Sequence, residues 1–139
     1  EAVIIRDLRV KVVSRAPAIV GTAIMRAADC GGTVSSRNYS VDLTASNPQL
    51  LLEDVHGEPT TDHQLYTVSK SDPEVFLLIG HLTDSGSVTY EYQVDWSQGS
   101  HSGTSDIVAP NGKPFAVTTG GTNPVYLPRD GQWAGLTKP

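Results

Sequence analysis

The most constraining feature of this chain is an unbroken alternation of apolar and polar residues from Val88 to Trp96. Successive side chains of a β-strand point to opposite faces, so one face of this segment is apolar and the other is polar. One buried face and one solvated face are typical of an antiparallel sheet rather than of a helix. The segment therefore predicts a half-buried strand. Its apolar face consists of Val88, Tyr90, Tyr92, Val94 and Trp96.

Other segments of the chain keep a strand-like pattern. Alternation predicts strands at Val3–Val13 and Asn38–Thr44, and the apolar run within Glu74–Leu82 predicts a central core strand. Leu65–Ser69 is predicted as an edge strand. The segment Ile19–Ala28 favours a strand, and a short helix stays open as the alternative because alanine is frequent in it.

The segments between these strands carry turn residues. Asn111-Gly112 predicts a two-residue hairpin turn. The polar stretch Thr83–Ser87 predicts a hairpin between the strands on either side of it. Near the C-terminus, Arg129–Gly131 predicts a tight turn between two further short strands.

Many short strands at roughly regular spacing predict an all-β fold. We expect a mostly antiparallel β-sandwich, either jelly-roll or immunoglobulin-like, forming a single domain over residues 1–139. Because the chain begins at Glu1, directly before a strand, we expect a domain excised from a longer protein, or a mature product. The predicted core consists of Leu8, Val10, Val12, Tyr39, Val41, Leu43, Phe76, Leu78, Val88, Tyr90, Tyr92, Val94 and Trp96.

Charge and composition restrict the function classes. The net charge is -5 and the pI is about 5.2, which argues against nucleic-acid contact because phosphate binding needs a basic surface. Arg9 and Lys11 are expected on the solvent face of the first strand. Cys30 is the single cysteine, so the chain has no internal disulfide. No apolar run approaches the roughly 20 residues that a membrane-spanning helix needs.

The longest polar run, Glu53–His63, predicts a functional loop at the rim of the sandwich. The Asn111–Phe115 segment and the C-terminal turn offer two further exposed contacts. The candidate binding residues in these three places are His56, Asp62, His63, Asn111, Lys113 and Trp133.

Metal and catalytic chemistry have weaker support. The spacing of the two histidines in the polar run matches no zinc pattern. Loop aspartates could supply oxygen ligands to calcium, although EF-hand spacing is absent. They are Asp42, Asp54, Asp62, Asp84 and Asp106. No Gly-x-Ser-x-Gly elbow occurs in the chain. We therefore expect no metal, no cofactor and no catalytic activity.

One resemblance covers roughly the last third of the chain. Val94–Trp96, the polar turn after it, Asn111–Phe115, Tyr126 and Trp133 together resemble the C-terminal part of poorly characterised bacterial β-domains. In those proteins the domain follows a membrane anchor or a DNA-binding segment. The resemblance implies an accessory β-domain, and it adds no activity and no site residue.

These observations predict a non-catalytic binding or sensing module that contacts a protein partner or a surface glycan through its rim loops. The first alternative is an oligomerisation or structural domain of a larger bacterial protein, in which a strand edge such as Leu65–Ser69 pairs with a second copy. The second alternative is a metal-dependent hydrolase. We expect an extracytoplasmic or cell-surface location rather than a cytoplasmic one.

Overall fold

The computed structural model describes residues 2–19, 36–54, 56–60 and 65–119 in full. It also describes strand pairing at residues 23–24, 125–129 and 132–136. The described residues contain strands and no helix. In chain order the strands are β1 (Val3–Ala16), β2 (Ala23–Ile24), β3 (Arg37–Asp42), β4 (Leu51–Glu53), β5 (Pro59–Thr60), β6 (Tyr66–Val68), β7 (Phe76–His81), β8 (Ser87–Gln98), β9 (His101–Ile107), β10 (Phe115–Thr118), β11 (Val125–Arg129) and β12 (Gln132–Leu136).

The strands form three sheets. The first sheet has the order β10-β8-β1-β6, and β9 pairs with β8 beside β10. The second sheet has the order β5-β4-β3-β7, with β3 and β7 parallel. The third sheet joins the β11–β12 hairpin to β2, whose pairing with β11 is parallel. All other pairs in the first two sheets are antiparallel.

The core lies between the first and second sheets. Tyr39 and Val41 of β3 are buried against Val88 and Tyr90 of β8, and Leu43, just after β3, is fully buried. Apolar residues of β1, β7 and β10 pack around this cluster. Two sheets that pack face to face confirm the predicted all-β sandwich. Among the described residues, no helix is long and apolar enough to cross a membrane.

The long strand β1 changes face near its start. Ile5 and Leu8 both pack against the core, although an unbroken strand would point residues three apart to opposite faces. The pairing with β8 is shifted between Ile5 and Asp7, which marks a β-bulge. The bulge brings the apolar side chains before and after it onto one face. Arg9 and Lys11 are exposed on the other face, as predicted.

The prediction that Glu74–Leu82 forms a central strand is wrong. β7 is the last strand of the second sheet and pairs only with β3 among the described strands. Phe76 and Leu78 pack on the core, whereas the alternate residues Leu77 and Ile79 are exposed. An apolar run alone does not show whether both faces of its strand are covered, and here only one is.

The Thr83–Ser87 turn does not close a hairpin, contrary to the prediction. β7 belongs to the second sheet and β8 to the first, so this turn carries the chain from one sheet to the other. β8 has no edge left for β7, because β1 lines one edge and β9 with β10 line the other.

Asn111-Gly112 is not a hairpin turn either. β9 and β10 both pair antiparallel with the same edge of β8, so the chain keeps its direction through the loop between them. The loop is closed by the Ala109 amide, which donates to the Lys113 carbonyl at 3.0 Å, and by the Gly112 amide, which donates to the Ala109 carbonyl at 2.8 Å. Gly112 has φ 75°, the left-handed conformation that glycine adopts most readily.

β8 and β9 form a hairpin at Gly99, which has φ 58°. Other strand predictions are confirmed. β6 lies at the edge of the first sheet, as predicted for Leu65–Ser69. β11 and β12 pair antiparallel with Arg129 opposite Gln132, as expected for the two short strands predicted there, and residues 130–131 lie outside the described residues. Within Ile19–Ala28 the structure has strand β2, and residues 20–22 and 25–28 lie outside the described residues.

The predicted core is confirmed except at its last two members. Val94 and Trp96 are half-buried and do not join the core cluster. Trp96 instead covers its cross-strand partner Gly103, which has no side chain, and its indole N–H donates to the Ser105 hydroxyl at 3.0 Å. An aromatic ring over a cross-strand glycine restores the packing that the glycine lacks.

Candidate functional site

The most unusual surface of the described residues is the outer side of β7. Val75, Leu77 and Ile79 have exposed fractions of 44%, 47% and 41%, and together they form an apolar stripe. They point outward because Phe76 and Leu78 point into the core and side chains alternate along a strand. We call Val75, Leu77 and Ile79 the β7 stripe.

Within the described residues, the β7 stripe lies at an edge that carries none of the usual protective features. Natural edge strands are commonly shielded by lysine, proline, inward charges or bulges. The segment from Val75 to Gly80 contains no charged residue and no proline. Its pairing with β3 runs without a shift from Phe76 to His81. The edge is therefore free of register shifts, and it has no charged residue from Val75 to Gly80, which favours pairing with a further strand.

The apolar surface ends where the neighbouring strand begins. Asn38 of β3 lies opposite Leu77, and Ser40 lies opposite Ile79, on the outer face of the second sheet. These small polar side chains separate the β7 stripe from the rest of that face. A partner strand that continues the stripe would therefore lie on the open side of β7.

The start of β7 is held by Arg37. Its guanidinium donates to both carboxylate oxygens of Glu74, at 3.0 and 3.1 Å, and its backbone amide donates to the Val75 carbonyl at 2.8 Å. The hydrogen bond to Glu74 raises the pKa of Arg37. The same guanidinium lies 4.5 Å from the centre of the Tyr66 ring on β6, a cation–π contact between the two sheets.

The end of β7 is held by Asp42. Its carboxylate accepts hydrogen bonds from the hydroxyl and the amide of Thr44 and from the hydroxyl of Thr83. The Thr44 hydroxyl is the largest of the influences that lower the pKa of Asp42. The Leu43 amide donates to the His81 carbonyl at 2.9 Å. With both ends fixed, the edge keeps the extended geometry that an incoming strand needs.

No protein-family model, curated protein or solved structure matches this chain. The geometry of the described residues is therefore the basis for a functional proposal. The resemblance of the C-terminal third to bacterial accessory domains stays a prediction.

The predicted rim residues come from separate parts of the fold. His56 lies in the turn of the β4–β5 hairpin, where the Asp54 carboxylate accepts from the amides of His56 and Glu58 at 2.8 and 2.9 Å. This part of the predicted loop is thus an ordered hairpin. Asn111 and Lys113 lie in the exposed loop between β9 and β10 in the other sheet. No hydrogen bond or ion pair among the described residues joins these two loops.

Three of the predicted binding residues receive no side-chain description. Asp62 and His63 lie outside the described residues. Trp133 belongs to β12, where it is paired with Pro128, but its side chain is not described. Cys30 also lies outside the described residues.

The candidate calcium aspartates make local contacts instead of meeting at one point. The Asp42 carboxylate accepts hydrogen bonds from threonines, and that of Asp54 accepts them from amides in a hairpin turn. The Asp106 carboxylate accepts a hydrogen bond from the side-chain amide of Gln93 at 2.7 Å. Asp84 lies in the exposed turn after β7, and Asp62 lies outside the described residues. Over the described part of the chain, no three side chains of histidine, cysteine, aspartate or glutamate are grouped as metal ligands would be.

The largest polar network of the first sheet braces its outer face. Arg9 on β1 binds the Asp95 carboxylate on β8 and also Asp7, at 3.1 Å. Asp95 accepts a further hydrogen bond from Thr104 on β9. The Arg9 hydrogen bond is the main cause that lowers the pKa of Asp95. These contacts link three adjacent strands, so we assign them to the sheet itself.

The described residues also line clefts of about 310 and 260 Å³. The first lies between Asp7–Val10 of β1 and the Asn47–Leu50 loop, and the second lies at the ends of β1, β8 and β10. Neither lining contains a histidine, a cysteine or a pair of carboxylates. The clefts therefore offer no argument for the hydrolase alternative.

Sequence reasoning missed the β7 stripe. It found the apolar run but placed it in the centre of a sheet. The one available signal was the length of the run, Val75–Ile79, which leaves alternate apolar residues on both faces of a single strand. That pattern fits a doubly covered strand and an open edge equally well.

Proposed function

We propose that this domain is a non-catalytic protein-binding module that accepts an extended segment of its partner at the open edge of β7. The observation that carries the proposal is the uncharged edge with its exposed apolar stripe. In such strand addition, main-chain hydrogen bonds provide affinity and alternate side chains provide specificity.

A protein partner is better supported than a glycan. Stacking of a sugar ring on an exposed aromatic side chain is one common mode of glycan binding, and no aromatic side chain among the described residues is exposed. The four described tyrosines are buried, and the Trp96 ring covers Gly103. An extended peptide needs only a backbone edge and apolar contacts, and β7 supplies both.

The test uses a probe of defined chemistry. We would titrate a short acetylated peptide of alternating threonine and valine into ¹⁵N-labelled protein and follow the amide resonances. The expected result is a set of shifts along Phe76–His81. The matched control peptide carries N-methyl groups on alternate amides, which remove the donors needed for a ladder. Shifts that are equal for both peptides, or that avoid β7, would contradict the proposal.

Substitutions separate the edge from the rim loops. Burying the exposed half of Leu77 is worth about 1 kcal/mol, so Leu77→Lys should weaken peptide binding at least roughly fivefold. Val13→Lys is the matched control, because Val13 is an equally exposed apolar residue on β1. If His56→Ala or Lys113→Ala weakened binding while Leu77→Lys did not, the contact would belong to the rim loops as first expected.

A further inference from the structure

We infer that the segment accepted by β7 is the β7 strand of a second copy, paired antiparallel about Leu77. This inference rests on the proposed function and names the partner at the same edge. The sequence predicted self-pairing through Leu65–Ser69. We choose β7 because it offers six residues for pairing, whereas β6 offers three.

The register follows from the alternation of side chains. In a symmetric pair of strands that continues one sheet, residues directly opposite each other lie on the same face. Centring the pair on Leu77 places Leu77 opposite Leu77 of the second copy and Val75 opposite Ile79. On the inner face, Phe76 then lies opposite Leu78. Every apolar residue from Val75 to Ile79 thus meets another apolar residue.

Other symmetric registers do not achieve this match. A pair centred on Leu78 places Val75 opposite His81 and Phe76 opposite Gly80. A pair centred on Ile79 places Leu77 opposite His81. Because only the Leu77-centred register matches apolar with apolar on both faces, the edge is complementary to itself.

The charges at the two ends of β7 allow the same arrangement. In the Leu77-centred pair, Glu74 lies opposite Gly80 of the second copy, and no acidic residue meets another acidic residue. Glu74 is already paired with Arg37, so it brings no free charge to the contact. In each copy, Asn38 and Ser40 lie on the outer face of β3, so they border the apolar contact on the side away from the second copy.

The size of the contact indicates a weak dimer. Stable interfaces bury about 1,200 Å² or more in total. A pairing confined to the six residues of β7 involves far fewer than the roughly 20–30 residues per partner of such an interface. We therefore expect a concentration-dependent equilibrium between monomer and dimer.

Sedimentation equilibrium of the full chain over a wide concentration range tests the inference. The wild type and Val13→Lys should both show reversible dimerisation, and Leu77→Lys should weaken it at least tenfold. Leu77 is exposed, so the substitution leaves the fold intact, which circular dichroism would verify. A wild type that stays monomeric at millimolar concentration would overturn the inference.

Disulfide trapping tests the register. All variants carry Cys30→Ser. Opposite residues in an antiparallel pair are about 4.5–5.5 Å apart at Cα, which suits a disulfide. Leu77→Cys should therefore cross-link with itself, and Val75→Cys should cross-link with Ile79→Cys but not with itself. Val13→Cys should give no cross-link.

The outcomes separate this inference from the proposed function. If no dimer forms and no cross-link appears, yet the threonine-valine peptide still shifts β7, then the edge binds another protein and only the self-pairing is wrong. If the peptide also fails, the proposed function is wrong as well. Cross-linking at Val13 equal to that at Leu77 would show non-specific contact and would overturn the register.

Discussion

Gly80 is the position where one added methyl group should test the packing between the two sheets. A Cβ atom at Gly80 would lie 2.9 Å from Cδ1 of Leu43 and 3.0 Å from the hydroxyl oxygen of Tyr90. Both neighbours belong to the buried cluster, and Leu43 has no exposed surface. Since neither side chain has open space to move into, Gly80→Ala should overpack the core.

The magnitude comes from two opposing effects. Overpacking a core costs typically about 1–3 kcal/mol. Replacing glycine within a strand returns roughly 0.5–1 kcal/mol through the lower entropy of the unfolded chain. The net loss in the free energy of unfolding should be about 1–2 kcal/mol.

Urea denaturation followed by tryptophan fluorescence measures this loss as a lower midpoint with an unchanged slope. The control is Gly86→Ala, because a Cβ there meets only the Ala16 carbonyl, at 3.4 Å. Adding Tyr90→Phe to Gly80→Ala removes the hydroxyl contact and should cost less than the sum of the two single changes. A Gly80→Ala variant as stable as the wild type would refute this packing argument.

Three further perturbations have defined outcomes. Hydrogen bonds lower the pKa of Asp42, so its charged form stabilises the fold at pH values above the unfolded-state pKa of about 3.9, and this stabilisation is lost as the pH falls through the lower folded pKa. Asp42→Asn should therefore lower the melting temperature at pH 7. A decrease in melting temperature that persisted unchanged at pH 2 would contradict this explanation. In Gly103→Ala, the new Cβ would lie 3.1 Å from the Trp96 ring, so unfolding in urea should show a loss of about 1 kcal/mol, whereas no loss would mean that the ring yields freely. Arg37→Lys removes the bidentate hydrogen bonding to Glu74, and calorimetry should record a decrease of about 1 kcal/mol in the free energy of unfolding that becomes smaller in high salt. An unchanged free energy of unfolding would show that Arg37 does not hold the start of β7.

The sequence correctly predicted strands that are buried on one face only, because their apolar and polar residues alternate. The alternation of Val88–Trp96 and of Asn38–Thr44 identified two sandwich strands, and the side chains expected in the core are buried at Tyr39, Val41 and Tyr90. Period-two alternation records burial directly, because a slip of one residue would expose the whole apolar set.

The sequence could not predict which strands become neighbours. Thr83–Ser87 and Asn111-Gly112 have good turn chemistry, yet neither closes a hairpin. Turn residues fix the local backbone but not the sheet that the next strand joins. That choice depends on which edges of β8 are already paired, and those pairings involve β1, which is remote in sequence.

The candidate site was missed for a related reason. Loop residues such as His56 and Lys113 were predicted to be binding residues because they lie in polar loop segments. The β7 stripe consists of apolar residues that are exposed because no described element covers the outer face of their sheet. Hydrophobicity in the sequence indicates a preference for burial, and only the topology shows where that preference is left unmet.

The ladder between β1 and β8 also has a consequence for how the chain folds. β8 pairs with β1 along almost its whole length. The paired residues nearest to each other in sequence are Ala16 and Ser87, and all strands of the second sheet lie between them in the chain. Contacts so remote in sequence form slowly, because a long loop must close before they stabilise anything. During synthesis from the N-terminus, most of β1 stays unpaired until β8 has emerged, because the earlier strand β6 pairs only with Val3–Ile5. The second sheet, with its local β4–β5 hairpin, is complete in sequence by His81 and is therefore available earlier as a surface on which β1 can collapse.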